Sequence, residues 1–311
     1  MTRMSADLSE LASLNRRAVS RGQPPPPRRA FLLANRAVDV LIAEAMLTPK
    51  PALVDRRGSG AHRDLDLARL LRSARSLHGA FQQMAAFAAG REPTQALRER
   101  LARIGRAGER DMFAATGGSN AHRGAIWIIG LLVAARAMRG AGATPGDVAA
   151  QAGRIASFAD RYAPPQDDSH GARVCRRYGV LGARGEAHAG FPHVVNVGLP
   201  ALWAARTQGA GETCARLDAL MAIMTSLDDT CLLHRGGLPA LEAAKSGAHA
   251  VLAAGGSCTA AGWHALLCLD AELLARHASP GGCADLLAAC LFLDRAQPDS
   301  AAPTRLRAST R

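Results

Sequence analysis

The sequence predicts an all-α fold, and three observations support that prediction. Apolar residues recur at the three- and four-residue spacing of amphipathic helices, and no alternating strand pattern of useful length occurs. Aromatic residues make up only 4% of the chain, whereas Ala, Leu and Gly are abundant, which favours closely packed helices over a β-sandwich or barrel. A hydrophobic content of 48% over 311 residues provides a substantial core. We therefore expect a single domain of roughly ten or more helices.

This helical catalytic domain is predicted to occupy residues 30–296. Residues 1–29 form a basic, proline-rich arm before it, and residues 297–311 form a basic tail after it. Much of the formal net charge of +12 lies in these two ends, and a basic fringe is weak evidence for nucleic-acid binding. No apolar run is long enough to span a bilayer, and no apolar stretch near the start precedes a cleavage site. We expect a cytoplasmic protein with no nucleic-acid and no membrane partner.

The seven cysteines do not form a recognisable framework. Their number is odd and no Cys-x-x-Cys pair occurs, which argues against both a set of disulfides and a structural zinc site. We expect most of them to behave as small, buried hydrophobic residues in a reducing compartment.

The first helix, predicted over 30–46, leads into a loop that carries acidic, basic and imidazole side chains. Two prolines bracket Lys50 in this loop and force the flanking backbone into extended geometry. The chain has 36 arginines but only two lysines, so a lysine retained here indicates a compact point charge for a phosphate group. A solvated basic loop is the alternative. Further helices are predicted over 66–89 and 91–106.

A second loop, residues 116–124, opens onto an apolar helix. Its paired glycines let the backbone approach a ligand, and Ser119 or Asn120 can cap the helix that follows. A helix N-terminus attracts an anion, and Arg123 in the first turn is unfavourable for the helix dipole unless an anion lies nearby. The spacing differs from that of a P-loop, which requires a lysine followed by serine or threonine.

The second half of the chain is also predicted to be helical. Four Gly-rich, charge-bearing breaks separate the helices of the whole domain, and we expect these breaks to converge on one cleft. One break follows Pro164 and Pro165, and another is the Gly-rich segment 182–192. The helices are predicted over 144–163, 193–208, 212–227, 238–253, 257–277 and a last segment that begins at Pro280.

Two adjacent carboxylates follow one of these predicted helices. Asp228 and Asp229 would lie at the C-terminus of the helix 212–227, where negative charge opposes the helix dipole. A Mg²⁺ ion, held by carboxylate together with substrate phosphates, would remove that penalty. An ion pair with Arg235 is the alternative for either carboxylate.

Five ordered segments make the chain resemble the triphosphoribosyl-dephospho-CoA synthase family over about residues 30–295. Ala121 and Arg123 stand where that family commonly has Thr and Lys, and Cys231 stands where Asn is frequent. Ala52 and the continuation through 55–62 look more like the malonate decarboxylase branch of the family than the citrate lyase branch. The five segments are 49–56 (PKPALVDR), 116–126 (TGGSNAHRGAI), 183–192 (ARGEAHAGFP), 229–237 (DTCLLHRGG) and 279–288 (SPGGCADLLA).

The resemblance implies an all-α enzyme that transfers the 5-triphosphoribosyl group of ATP to the 2′-hydroxyl of 3′-dephospho-CoA and releases adenine. It also implies Mg²⁺ as cofactor and a product that is passed on for attachment to an acyl carrier protein subunit. The implied catalytic residues are Asp55, His122, Glu186 and Asp229, and the implied metal ligands are Asp228 and Asp229. The implied phosphate-binding residues are Lys50, Arg56, Gly117, Gly118, Asn120, Arg123, Arg235, Gly236, Ser279, Gly281 and Gly282, with His62 and Asp285 as less specific candidates.

Other classes of protein remain open at this point. A basic helical nucleic-acid binder would need an aromatic platform for bases, which the sequence lacks. A helical scaffold that docks an acyl-carrier subunit would bind no nucleotide. A nucleotide N-glycohydrolase would use the same ribosyl chemistry with water as acceptor.

Overall fold

The helical prediction is confirmed in a computed structural model that describes residues 26–140, 142–163 and 169–294. Within these ranges no β-sheet occurs, and the sole β-bridge joins Asp55 to Gly58 in a loop. The remaining parts of the predicted arm, the loop 164–168 and the C-terminal tail lie outside the described residues. The helices are α1 (Pro26–Met46), α2 (Leu67–Ser76), α3 (His78–Ala88), α4 (Gln95–Thr116), α5 (Arg123–Met138), α6 (Pro145–Ala156), α7 (His170–Tyr178), α8 (Gly182–His188), a π-helix (His193–Gly198), α9 (Leu199–Thr207), α10 (Glu212–Ser226), α11 (Thr230–Ala253), α12 (Ala260–Ala275) and α13 (Gly281–Leu293).

Helix α1 begins inside the range predicted as the arm. Pro26 opens it, as proline can where the first backbone N–H groups have no partner within the helix. Arg29 then donates to the carbonyl oxygens of Arg136 at 2.7 Å and Ala137 at 3.3 Å. A cation at the C-terminal end of α5 is favourable for its dipole, so this contact fixes the start of α1 on the fold.

Several predicted helix boundaries were wrong, each for a local reason. The segment 66–89 forms two helices that meet at the buried Leu77. Helix α4 starts only after Thr94, whose hydroxyl accepts a hydrogen bond from the amide of Leu97 at 3.2 Å. The segment 193–208 begins as a π-helix, and Pro200 just beyond it cannot donate a backbone hydrogen bond. Helix α11 starts earlier than predicted and bends at Gly237, whose φ is 64°.

The core consists of one large cluster of buried apolar side chains contributed by helices throughout the chain. Helices α5 and α13 lie deepest, and α13 is buried almost all round, as expected for a helix that is apolar on every face. A second, smaller cluster packs the loop after α1 onto α2 and so anchors the segment that carries Lys50. Its members are Ala45, Val54, Leu65 and Leu70.

One pair of cysteines corrects the expectation that the chain has no disulfide. Cys214 near the start of α10 is bonded to Cys258 just before α12, with their Cα atoms 5.5 Å apart. The separation of 44 residues carries no spacing signal, so the pairing follows from how α10 and the start of α12 approach each other. The other five cysteines are free, and of all seven only Cys283 and Cys290 are buried, so the expectation that most would be buried was wrong.

No helix in the described ranges combines the length and the apolar character needed to cross a bilayer.

Candidate functional site

The N-terminal ends of α5, α11 and α13 meet at one place in the fold. Gly282 in the first turn of α13 packs against Asp229 just before α11, and a Cβ atom at Gly282 would lie 3.0 Å from Oδ1 of Asp229. Gly124 in the first turn of α5 packs against Asp285 of α13, and a side chain at position 124 would collide with that carboxylate. These glycines therefore permit an approach of helix ends that a Cβ atom would block. The positive ends of three helix dipoles meet here, which favours bound anions.

Asp229 lies at the N-cap of α11, and its predicted position at a helix C-terminus was wrong. Its Oδ1 accepts hydrogen bonds from the amides of Cys231 at 2.7 Å and Leu232 at 3.4 Å. Its Oδ2 accepts from the amide of Cys283 in α13 at 2.8 Å. The residue is only 1% exposed. The carboxylate therefore stabilises the starts of two helices, and the dipole penalty invoked for a metal does not arise.

Asp228 is on the surface and pairs with the second lysine of the chain. Its Oδ1 lies 2.6 Å from Nζ of Lys245, rather than against Arg235. Among the described residues no three His, Cys, Asp or Glu side chains are grouped to hold a metal ion. Because amides occupy the oxygens of Asp229 and a lysine pairs with Asp228, these two carboxylates do not fit a Mg²⁺ site.

Lys50 is buried in an ion pair rather than presented to solvent. Its Nζ donates to the carboxylate of Glu44 at 2.5 Å and to the carbonyl oxygen of Glu44 at 2.8 Å. The lysine is 1% exposed. Since its ammonium already has two partners at the C-terminal end of α1, Lys50 fixes the loop onto that helix.

Asp55 and Arg57 hold the rest of this loop in shape. Asp55 accepts from the backbone amide of Lys50 at 2.9 Å and from Nε of Arg57 at 3.0 Å. The Nη1 of Arg57 donates at 2.6 Å to Asp270 of α12, which also accepts from the amide of Ala52 at 2.8 Å. The loop is therefore built on two carboxylates and one guanidinium, of which only Asp55 was predicted as a site residue. Arg56 is exposed.

His62 brings three of the predicted segments together. Its Nδ1 lies 3.0 Å from Nη2 of Arg235, and its Nε2 lies 3.0 Å from Oγ of Ser279. Because a guanidinium only donates, Nδ1 is the acceptor and the ring proton sits on Nε2. Burial and then the charge of Arg235 lower the pKa of His62 to about 4, although Asp64 opposes them. Neutral His62 therefore links the loop between α1 and α2 (residues 47–66, the Lys50 loop) to α11 and to the start of α13.

His122 is buried at the start of α5 with one ring nitrogen unsatisfied. Its Nδ1 lies 2.7 Å from Oγ of the buried Ser73 of α2, and its Nε2 has no hydrogen-bond partner. Burial, followed by the positive charge of Lys50, lowers the pKa of His122 to about 4. A buried polar atom without a partner costs about 1–3 kcal/mol, so this neutral imidazole is a feature that needs an explanation.

The N-cap residue of α5 is His122, whose side chain makes no cap hydrogen bond, but the predicted candidates Ser119 and Asn120 both bond to backbone nearby. Oδ1 of Asn120 accepts from the amide of Arg123 at 3.2 Å, and Ser119 donates to the carbonyl oxygen of Asp64 at 2.6 Å in the Lys50 loop. Arg123 turns toward α4, where its Nε lies 2.7 Å from Glu109. This ion pair compensates for the unfavourable position of the positive charge of Arg123 at the N-terminus of α5.

The glycines predicted as phosphate contacts fall into two groups. Gly117 and Gly118 have φ values of 68° and 94° and face open space. Gly281 and Gly236 instead allow close packing, because Cβ atoms there would meet Cys231 and Ala240. The first pair therefore leaves room for a ligand, and the second brings helices into contact.

Glu186 in α8 is joined to His193, a residue the sequence did not single out. Its Oε1 accepts from the amide of His193 at 2.8 Å, and its Oε2 lies 2.8 Å from Nδ1 of the same residue. Helix α8 reaches the site because Gly182 packs beside Thr230, with 3.2 Å between a Cβ atom there and Cγ2 of Thr230. The indole Nε1 of Trp127 in α5 donates to the carbonyl oxygen of Ala183 at 3.1 Å.

Asp285 is a partly buried acid at the place where the starts of α5, α11 and α13 meet. Burial raises its pKa well above the ordinary value, and the negative charges of Glu44 and Asp229 raise it further. The carboxyl therefore takes up a proton more readily than an exposed aspartate does, and a nearby positive charge would favour its ionisation.

The structure thus brings together the Lys50 loop, the start of α5, the segment around Glu186, the start of α11 and the start of α13. Side chains of Arg123 and Asp228 turn to partners of their own at the edge of this group. Five residues that complete it were not predicted as site residues, because the partners that give them a role are not apparent from the local sequence. They are Glu44, Arg57, Ser73, His193 and Asp270.

The chain is an enzyme of the transferase class, because residues 30–303 match a family of transferases; its all-helical fold carries a site built from helix N-termini, cationic side chains and buried carboxylates. Residues 30–303 match the family described as ATP:dephospho-CoA triphosphoribosyl transferase, and the chain therefore belongs to that family. This membership confirms the predicted family and the predicted class of enzyme.

Curated relatives are similar over most of their length. A protein of Stutzerimonas stutzeri is 57% identical over 279 residues, which cover 89% of this chain and 96% of the relative. A protein of Azotobacter vinelandii is 54% identical over 280 residues, which cover 90% and 96%. Both are described as a probable 2-(5″-triphosphoribosyl)-3′-dephosphocoenzyme-A synthase. No solved structure matches the chain significantly.

Proposed function

We propose that this protein transfers the 5-triphosphoribosyl group of ATP to the 2′-hydroxyl of 3′-dephospho-CoA with release of adenine. The observation that carries the proposal is the match of residues 30–303 to a family described by these two substrates. The convergence of five sequence segments on the starts of α5, α11 and α13 supports it, because a triphosphate needs several cationic and N–H donors at one place.

Within this proposal, some residues bind the substrate and others hold the site in shape. Arg235 binds phosphate oxygens, since it is exposed, and the exposed turn at Gly117 and Gly118 leaves room for them, while the amides of both glycines donate to the carbonyl oxygen of Phe113. Lys50 holds the loop that presents Arg56 and His62. Asp229 keeps two helix starts at the spacing that the substrate requires.

The reaction also needs negative charge near C1′ of the ribose. Departure of adenine leaves an oxocarbenium-like centre, which a carboxylate stabilises. Asp285 is proposed for this role, because its carboxyl lies against Gly124 where the starts of α5 and α13 meet. His122 is proposed to transfer a proton within the site. Mg²⁺ is proposed to enter with the phosphates of ATP.

The test is incubation of the purified protein with ATP, Mg²⁺ and 3′-dephospho-CoA, followed by chromatography for adenine and mass spectrometry of the product. We expect adenine release that requires 3′-dephospho-CoA. Release from ATP alone would instead indicate an N-glycohydrolase that uses water. Absence of release and of nucleotide binding would favour a scaffold protein.

The product is proposed to serve as the prosthetic-group precursor for the acyl carrier protein of malonate decarboxylase. Ala52 and the segment 55–62 favour this branch over citrate lyase. Deletion of the gene should abolish growth on malonate and leave growth on citrate unchanged. The opposite pattern would assign the protein to citrate lyase.

A further inference from the structure

In the Glu186–His193 pair, the imidazole of His193 can face a ligand, whereas the carboxylate of Glu186 cannot. The side chain of Glu186 is 6% exposed, and both of its oxygens are occupied by the backbone amide and Nδ1 of His193. The imidazole is 22% exposed. The acid predicted from the sequence therefore supports the histidine, and Nε2 of His193 is the ring nitrogen that Glu186 does not hold, with the carbonyl oxygen of Ser226 near the ring.

The backbone that delivers His193 is unusual at two neighbouring positions. Phe191 is fully buried yet has a φ of 58°, in the left-handed region that a bulky residue rarely adopts. Its amide donates to the carbonyl oxygen of Glu186 at 2.8 Å, which ties this conformation to the same glutamate. A π-helix begins at His193 and runs to Gly198. Strained residues and π-helical turns both concentrate at functional sites.

The charges around the imidazole favour its protonated form. The hydrogen bond with Glu186 raises the pKa of His193 most, and burial opposes it. The charge of Glu186, the carbonyl oxygen of Ser226 and the charge of Asp228 raise it further. Ser226 is the last residue of α10, and Asp228 lies in the connection to α11, directly before the N-cap residue Asp229. His193 therefore lies beside the meeting point of the helix starts.

We propose that His193 is the proton donor to the departing adenine and that Glu186 is its positioning residue. The inference rests on the proposed function. When the C1′–N9 bond of ATP breaks, the bonding pair goes to adenine, and the proton on Nε2 of His193 goes to a ring nitrogen of that base. The 2′-oxygen of 3′-dephospho-CoA bonds to C1′ and gives its proton to solvent, and His193 regains a proton from solvent. Neutral adenine leaves and no net proton is consumed.

The variant His193→Asn separates proton donation from support. An asparagine amide can still donate to Glu186 in place of Nδ1, but it has no acidic group in place of Nε2. We expect kcat to fall by about a hundredfold to ten-thousandfold, the usual contribution of a proton-transfer group, with KM for ATP changed little. The melting temperature should stay close to that of the unchanged protein. His264→Asn, on the exposed side of α12, is the matched control and should keep full activity.

Glu186→Gln tests the positioning role with a readout that needs no turnover. The NMR pH titration of the His193 ring, assigned by its absence in His193→Asn, should move to lower pH in Glu186→Gln. The basic limb of the kcat/KM profile should move in the same direction. An unmoved titration and an unmoved profile would overturn the role of Glu186.

The role of His193 and the proposed function are overturned by different results. Normal adenine release by His193→Asn would overturn the role of His193 and leave the proposed function standing. Failure of the unchanged protein to release adenine with 3′-dephospho-CoA would overturn both.

Discussion

The carboxylate of Asp229 accepts a hydrogen bond from the backbone amide of Cys283 at 2.8 Å, 54 residues further along the chain. The same carboxylate caps α11 through the amide of Cys231. One side chain thus satisfies unpaired amides at the starts of two helices, which would otherwise lack partners away from water. The geometry of the site therefore depends on this residue whether or not it contacts substrate.

Replacing Asp229 with asparagine should lower both stability and turnover. One carboxylate oxygen would become an NH₂ group facing a backbone N–H, so one helix start would lose its partner. We expect a loss of about 1–3 kcal/mol in the free energy of unfolding, measured by urea denaturation. Asp228→Asn is the control, because an exposed ion pair contributes only about 0–1 kcal/mol. Equal stability of the two variants would contradict the double capping role.

Lys50→Met should destabilise the fold strongly. The change leaves the carboxylate of Glu44 buried without its ion-pair partner, which costs about 3–5 kcal/mol in known cases. The double variant with Glu44→Gln should recover much of that loss, because neither charge is then buried alone. Thermal unfolding of both variants checks this. A single variant with unchanged melting temperature but lost ATP binding would instead support the phosphate role predicted from the sequence.

The stability of the protein should fall as the pH is lowered through the range between the ordinary histidine pKa of 6.5 and about 4. His62 and His122 have folded-state pKa values lowered to about 4, so the unfolded chain binds more protons than the folded chain in that range. Their destabilising effect is absent above the ordinary pKa and complete below the lowered one. The free energy of unfolding of His62→Asn should depend less steeply on pH than that of the unchanged protein. His264→Asn should keep the original slope, and an unchanged slope in His62→Asn would count against the prediction.

Breaking the bond between Cys214 and Cys258 should lower stability by about 2–4 kcal/mol, because the crosslink restrains the unfolded chain. Cys214→Ser and added reductant should both lower the melting temperature, whereas Cys268→Ser, an exposed free thiol, should not. Alkylation of the denatured protein without reductant should label the five free cysteines. Labelling of all seven would show that the bond does not form in the purified protein.

Sequence reasoning was most successful where the signal is local. Ser119 or Asn120 was predicted to cap α5; Asn120 accepts from the amide of Arg123 three residues later, although the N-cap position itself belongs to His122. The existence of the helices followed from apolar periodicity, although some boundaries moved by eight to ten residues and one predicted helix is two. Their ends depended on capping side chains such as Thr94 and on prolines, which periodicity does not report.

The same reasoning was wrong for Asp229, which it placed at the end of one helix although the residue begins the next. Both positions follow a run of apolar residues, and the amide of Cys283 that settles the matter lies in another helix. Lys50 was predicted to bind phosphate, and in the structure its partner is Glu44, six residues earlier. His193 gave no signal because a π-helix has no sequence pattern that distinguishes it from an α-helix.

By itself, then, the sequence determined the helical class, the loops that carry polar groups and the family to which the chain belongs, because these depend on periodicity and on motifs a few residues long. The tertiary structure alone decided which polar atoms pair: Asp229 with two helix starts, Lys50 with Glu44, Glu186 with His193 and Cys214 with Cys258. The physical reason is that a buried polar group must find a partner wherever packing places one, and packing joins residues that the sequence keeps apart.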